Sequence, residues 1–203
     1  MSPDPEAVDR RRRAAVAGHT GDLDGARALL HDPDPGVRAA ALAALDRLGA
    51  LDAGTLGAAL ADPAPAVRRR ALGLVAARPG DQPPAAVSLL DDLDPVVAET
   101  AAWAMGERQP PEPAAAVALA RTATEHAEHL VREAAVAALG ALGDPVGLPA
   151  VLAALDQRAT LRRRAVVALA AFEGPEVDAA LRRALEDRDR QVRQAAEDLL
   201  GPT

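Results

Sequence analysis

Apolar residues recur along one helical stripe at Val37, Ala41, Ala44 and Leu45, a spacing that predicts an amphipathic α-helix. The stripe returns with anchors at Val67, Val97, Val131, Leu161 and Val192, and successive anchors stand 30, 30, 34, 30 and 31 residues apart. A fixed period in this range marks a solenoid rather than one globular core. Each copy begins with a short first helix, as in "GDLDGARALL", "PVGLPAVLAAL" and "PEVDAALRRAL". A turn carrying Asp and often Pro follows, and then a second helix that holds the anchor. Asp34 and Asp94 are placed to N-cap that second helix, with Pro35 and Pro95 at its first position. Gly49, Gly106, Gly143 and Gly174 are expected to end helices, and Pro145 and Pro175 to block their continuation. "EAVDRRRRAAVAG", anchored at Val8, reads as the second half of a further, truncated copy, with an apolar side at Ala14, Ala15 and Val16. The expectation is an all-α solenoid of about six repeats, spanning residues 1–203 as one domain. Its boundaries fall near 20–49, 50–80, 81–109, 110–143, 144–173 and 174–203, after a half repeat over 1–19.

Composition supports helices and narrows the chemistry. Hydrophobic residues make up 49% of the chain, yet it has one Trp, one Phe and no Tyr, and Ile is missing. The core is therefore built from Leu, Val and Ala, of which Leu and Ala are strong helix formers. All 23 basic residues are Arg, and Asn is missing too, which reads as the codon usage of a GC-rich bacterial genome rather than as a functional signal. A net charge of −7 opposes general binding to polyanions. The absence of Cys excludes disulfides, thiolate metal sites and thiol catalysis. No apolar leader region or long apolar run is present, so a cytoplasmic location is expected.

"DPDPGVRAAALAALDRLG", "DLDPVVAETAAWAMGE" and "HLVREAAVAALGALGD" carry a resemblance to the HEAT repeat, and within it to the phycobilisome-lyase-like (PBS lyase HEAT-like) subfamily. The resemblance implies antiparallel helix pairs stacked into a right-handed superhelix. It also implies an Asp-to-Arg ladder through the turns. Asp32, Asp62, Asp92, Asp156 and Asp187 would be its acids, and Arg38, Arg68, Arg132, Arg162 and Arg193 its bases. The pattern breaks at Ala98 and at His126, beside the longest repeat and its "RQPPEP" segment, where a change of superhelical pitch is expected.

Aligned copies separate core positions from free ones. On the second helix the free positions hold Arg10 and Arg11, Ala39, Ala40 and Arg47, Arg69 and Arg70, and Glu99, Thr100, Trp103 and Glu107. They continue with Glu133, Arg163 and Arg164, and Gln194 and Asp198. The resemblance implies that these line the concave side. Arg69, Arg70, Glu99, Trp103, Glu107, Arg163 and Arg164 are accordingly the candidate partner-binding residues. The plainer reading is that the charges solvate a helix face. Trp103 is open to two readings, a half-exposed interface anchor or a structural cap on the neighbouring helix.

One segment invites a different chemistry. "EHAEH" sets Glu125, His126, Glu128 and His129 at spacings that suit zinc or iron. The HEAT-like deoxyhypusine hydroxylases carry metal on His–Glu pairs, repeated in both halves; here the order is Glu–His and the cluster is single. It also falls in an inter-helix turn, where a solvated turn is the competing reading, and His19 and His31 stand alone. The HEAT-like DNA glycosylases use a basic surface with several aromatics, and this chain has one Trp and a negative total charge. Lyase activity would follow from the subfamily name alone and identifies no catalytic residue. The leading expectation is a non-catalytic scaffold that binds another protein along its concave face, with no cofactor and no membrane. A metal-dependent or ligand-modifying enzyme is the second reading, and a nucleic-acid binder the third.

Overall fold

The computed structural model describes residues 4–78, 85–112 and 114–201. Among them every regular element is helical. Two compact units divide the chain, Met1–Leu89 and Leu90–Thr203. No helix among the described residues is long and apolar enough to cross a membrane.

In the first unit, α1 (Pro5–Thr20), α3 (Pro35–Arg47) and α5 (Pro65–Ala77) lie side by side as a row of second, or B, helices. The shorter first, or A, helices are α2 (Leu23–Ala28), α4 (Ala53–Leu60) and α6 (Ala85–Ser88). Val37, Ala41, Leu42, Ala44 and Leu45 of α3 are all buried, as the stripe predicts. In α1 the buried anchor is Ala7 rather than Val8, which is 45% exposed. The reason is the helix start. Asp4 caps α1 and Pro5 opens it, so Ala7 occupies the place that Val37 holds after Asp34 and Pro35. Ala14 is buried as well, leaving only Ala15 and Val16 of the expected apolar edge exposed.

In the second unit the B helices are α7 (Pro95–Glu107), α9 (His129–Leu142), α11 (Ala159–Ala168) and α13 (Arg190–Leu200). Each packs on the next. The A helices α8 (Ala115–Glu125), α10 (Leu148–Ala154) and α12 (Pro175–Ala184) cover one side of that row, and Leu119, Leu139, Leu161 and Leu169 are buried between the layers. Gly143 ends α9 at φ 62, a left-handed conformation that glycine adopts without steric cost. Gly106 does not end a helix. It lies inside α7, and a Cβ there would sit 2.8 Å from the Ala138 Cα of α9. Glycine is present because the two helix backbones nearly touch.

Candidate interaction surface

The turns before α3, α5, α7 and α13 share one hydrogen-bond scheme. The carboxylates of Asp32, Asp62, Asp92 and Asp187 each accept from the backbone N–H two residues on, at 2.8 Å. In "DPDP", "DLDP" and "DRDR" the second Asp then caps the helix: Asp34 accepts from the Val37 N–H, Asp94 from Val96 and Val97, and Asp189 from Gln191 and Val192. Arg38, Arg68, Arg132 and Arg193, one turn into their B helices, donate back to the first residue's carbonyl oxygen at 2.7–2.9 Å.

Neighbouring repeats are then joined by arginines of the B helices. Arg38 closes a two-pronged bond on Asp62 at 2.8 and 2.7 Å, and Arg162 one on Asp187 at 2.7 and 2.8 Å. Arg10 reaches Asp32 at 2.7 Å, and Arg11 reaches Asp34 at 3.1 Å. These two residues, expected on the free face, are therefore part of the repeat junction. Hydrogen bonding from Arg162 holds the Asp187 carboxyl below its ordinary range against the opposing effect of burial. Burial pushes the Asp62 carboxyl up, but bonds from Arg38 and the Ala64 N–H outweigh it and leave the group lowered.

Two expected rungs differ. Asp156 makes its ion pair with Arg183 at 3.3 Å, not with Arg132. The helical turn ahead of α11 runs one residue further, through the Gln157 N–H bonded to Ala154, so the Arg162 guanidinium meets the Gln157 carbonyl and Asp156 is carried to the surface. The Arg132 Nε is left without a hydrogen-bond partner. At His126 the imidazole Nδ1 accepts from the Glu128 N–H at 3.1 Å, replacing the Asp carboxylate of the other turns. Glu125, His126, Glu128 and His129 thus span the end of α8, the turn and the start of α9. Among the described residues no group of three or more His, Cys, Asp or Glu is arranged to hold a metal ion.

On the B-helix face of the second unit, away from the A helices, a groove of about 390 Å³ runs between α7 and α9. Trp103 and Leu130 line it, 47% and 52% exposed, with Gly106 of α7 and Ala137, Ala138 and Ala141 of α9. Glu99, Glu107, Glu133 and Arg164 complete the rim. The side chains of Trp103, Glu99, Glu107 and Arg164 form no hydrogen bond or ion pair with other described residues. Glu133 accepts from the Thr160 hydroxyl at 2.5 Å, and Arg163 donates to Gln191 at 3.1 Å. The "RRR" of α11 therefore serves two ends, since Arg162 ties the repeats together while Arg164 faces solvent. In the first unit Arg69 and Arg70 are exposed on α5 and likewise unpaired, whereas Arg68 is bound to the turn.

Leu130 was not singled out by sequence. It stands one residue before the anchor, where other copies carry Gly36, Ala66, Val96, Thr160 and Gln191, and a comparison of that column exposes it as the largest apolar side chain. A wider cleft of about 700 Å³ lies between α4 and the 3-10 turn Leu29–His31 in the first unit, lined by Leu30, Leu42, Ala58 and Val67. Its charged lining, Arg38, Asp62 and Asp32, is already engaged in the repeat junction.

A row of A/B hairpins that repeats one turn chemistry about every thirty residues defines an α-solenoid repeat protein. A profile described as HEAT repeats matches residues 83–169 and 131–201, and the chain belongs to the HEAT-repeat family. No curated protein sequence matches it. Among solved structures it is similar to a designed armadillo repeat protein in complex with the peptide (KR)4, at 18% identity and a TM-score of 0.62, covering 88% of this chain and 98% of that one. Human deoxyhypusine hydroxylase in complex with glycerol is similar at 24% identity and a TM-score of 0.50, over 97% and 80% of the two chains. An engineered protein is similar at 20% identity and a TM-score of 0.58, over 98% and 65%.

Proposed function

We propose that this HEAT-repeat protein is a non-catalytic, cytoplasmic scaffold of the PBS lyase HEAT-like subfamily that binds another protein through the exposed face of its B helices. The observation that carries the reading is Trp103. The sole tryptophan of the chain is half exposed beside Leu130 in a groove, with its indole N–H unspent. Tryptophan is enriched among the residues that dominate binding energy, and a groove that already excludes part of the solvent lowers the cost of burying it. Glu99, Glu107 and Arg164 rim this anchor and set its specificity, Arg163 adds a cation beside Arg164 on α11, and Arg69 and Arg70 form a further basic contact on α5 of the first unit. The designed armadillo repeat protein of similar fold holds a peptide, so a row of this kind offers a surface that a peptide can occupy.

The test is a pull-down of tagged protein from a bacterial lysate, read by mass spectrometry. Wild type is compared with Trp103→Ala and with Arg69→Glu/Arg70→Glu. A protein recovered with wild type and lost with either variant supports the scaffold. Capture that survives both sets of changes contradicts the assignment to the B-helix face.

A further inference from the structure

The groove between α7 and α9 carries a charge pattern that specifies what should fill it. Three carboxylates, from Glu99, Glu107 and Glu133, line it against one guanidinium, from Arg164. Glu99 and Glu107 are unpaired, and the Trp103 ring stands between them on the same helix face. We infer that the occupant is an extended, cationic segment of a partner protein, with a Lys or Arg side chain at Trp103 and an adjacent apolar side chain against Leu130. This rests on the protein-binding reading above and adds the chemistry of the partner.

Three effects favour this occupant over others. A cation over an indole face is attracted by the ring quadrupole, and the attraction grows as the site is desolvated. The same cation neutralises Glu99 and Glu107, whose charges an uncharged apolar segment would bury without compensation. An anionic segment would meet all three carboxylates at short range and be repelled. Small residues, Gly106 on α7 and Ala137, Ala138 and Ala141 on α9, line the groove and leave room for an extended backbone to approach.

The charge also gives the segment a direction. Packed helices lie about 8–10 Å apart, a span of about three residues of extended chain. Two such spacings separate α7 from α11, so a carboxylate about five or six residues from the cation reaches α11 and meets Arg164, whose side chain has no partner among the described residues. The segment is thus cationic and apolar over α7 and α9, and an acidic residue is favoured only beyond them, over α11.

The test pans a random-peptide phage library on the intact protein at low salt, in parallel on wild type and on Glu99→Lys/Glu107→Lys. Wild type is expected to enrich peptides with Lys or Arg beside an apolar residue. A synthetic consensus peptide should bind Trp103→Ala at least about tenfold more weakly than wild type. The double-Lys protein should lose these sequences and enrich acidic ones. If wild type enriches acidic or uncharged peptides that still require Trp103, the inference is overturned while the binding reading stands. If enriched peptides bind Trp103→Ala undiminished, the groove is not their site and the inference fails. No enrichment at all would count against both the inference and the binding role of this face.

Discussion

Arg162 and Asp187 are held together by two hydrogen bonds of 2.7 and 2.8 Å between α11 and the turn before α13, and both side chains are largely buried. The adjacent Arg163 and Arg164 are exposed. Arg162→Ala should therefore destabilise the protein by about 2 kcal/mol, less than a fully buried pair would because water still reaches this one. Arg164→Ala should stay within about 0.5 kcal/mol of wild type. Urea unfolding of the two variants checks the division of labour within one tripeptide.

Acid should loosen the repeat junctions. Asp32, Asp62 and Asp187 titrate below the ordinary aspartate range in the folded protein. As pH falls through that range the unfolded chain binds protons that the folded chain does not, so stability is lost on the acid side. Asp187→Asn should flatten the decline below about pH 4. Glu112 has the opposite sign. Burial raises its carboxyl, with Arg108 opposing, so its contribution falls as pH rises from the unfolded value to the raised one. Unfolding midpoints of Asp187→Asn and Glu112→Gln across pH 3–7 should diverge from wild type in opposite directions.

Close helix contact makes the same substitution destabilising in one place and stabilising in another. A Cβ at Gly106 would lie 2.8 Å from the Ala138 Cα, and one at Gly140 2.8 Å from the Ala168 Cα. At Gly73, inside α5, a Cβ would meet nothing within 4 Å. Gly106→Ala should cost about 1–2 kcal/mol as α7 and α9 are forced apart. Gly73→Ala should gain about 0.5–1 kcal/mol from helix propensity alone. Thermal unfolding of both variants reads the sign directly.

Depth, rather than residue type, sets the value of a leucine here. Leu169 is buried and Leu130 is half exposed in the groove. Leu169→Ala should cost about 2–5 kcal/mol and Leu130→Ala under about 1 kcal/mol. A Leu130→Ala protein as unstable as Leu169→Ala would mean that Leu130 is core and not a wall of the groove.

The repeat could be read from sequence because its strongest signals are local. Val97 and Val192 are buried where the anchor spacing puts them, and Asp94 caps α7 beside Pro95 as its place in the chain predicts. The misread positions depend on which partner a side chain finds. Val8 resembles an anchor by type, but the cap at Asp4 sets the register and buries Ala7. Asp156 keeps the spacing of a ladder acid, yet the turn before α11 runs one residue further and delivers it to Arg183. Gly106 reads as a helix end because glycine usually is one; only the approach of α9 reveals its use. Leu130 is hidden in the sequence because an apolar residue beside an anchor looks like core, and its exposure follows from the first-turn geometry of α9.

Because Trp103 is the chain's single tryptophan, its emission reports on the groove alone. The most direct measurement is acrylamide quenching of that emission, free and saturated with a tryptophan-free ligand peptide or partner fragment. In the free protein the half-exposed ring should be quenched readily. On saturation the emission should move to shorter wavelength and the quenching constant should fall severalfold. An unchanged spectrum and quenching constant at saturation would show that the ligand binds elsewhere, and would contradict the role assigned to the α7/α9 groove.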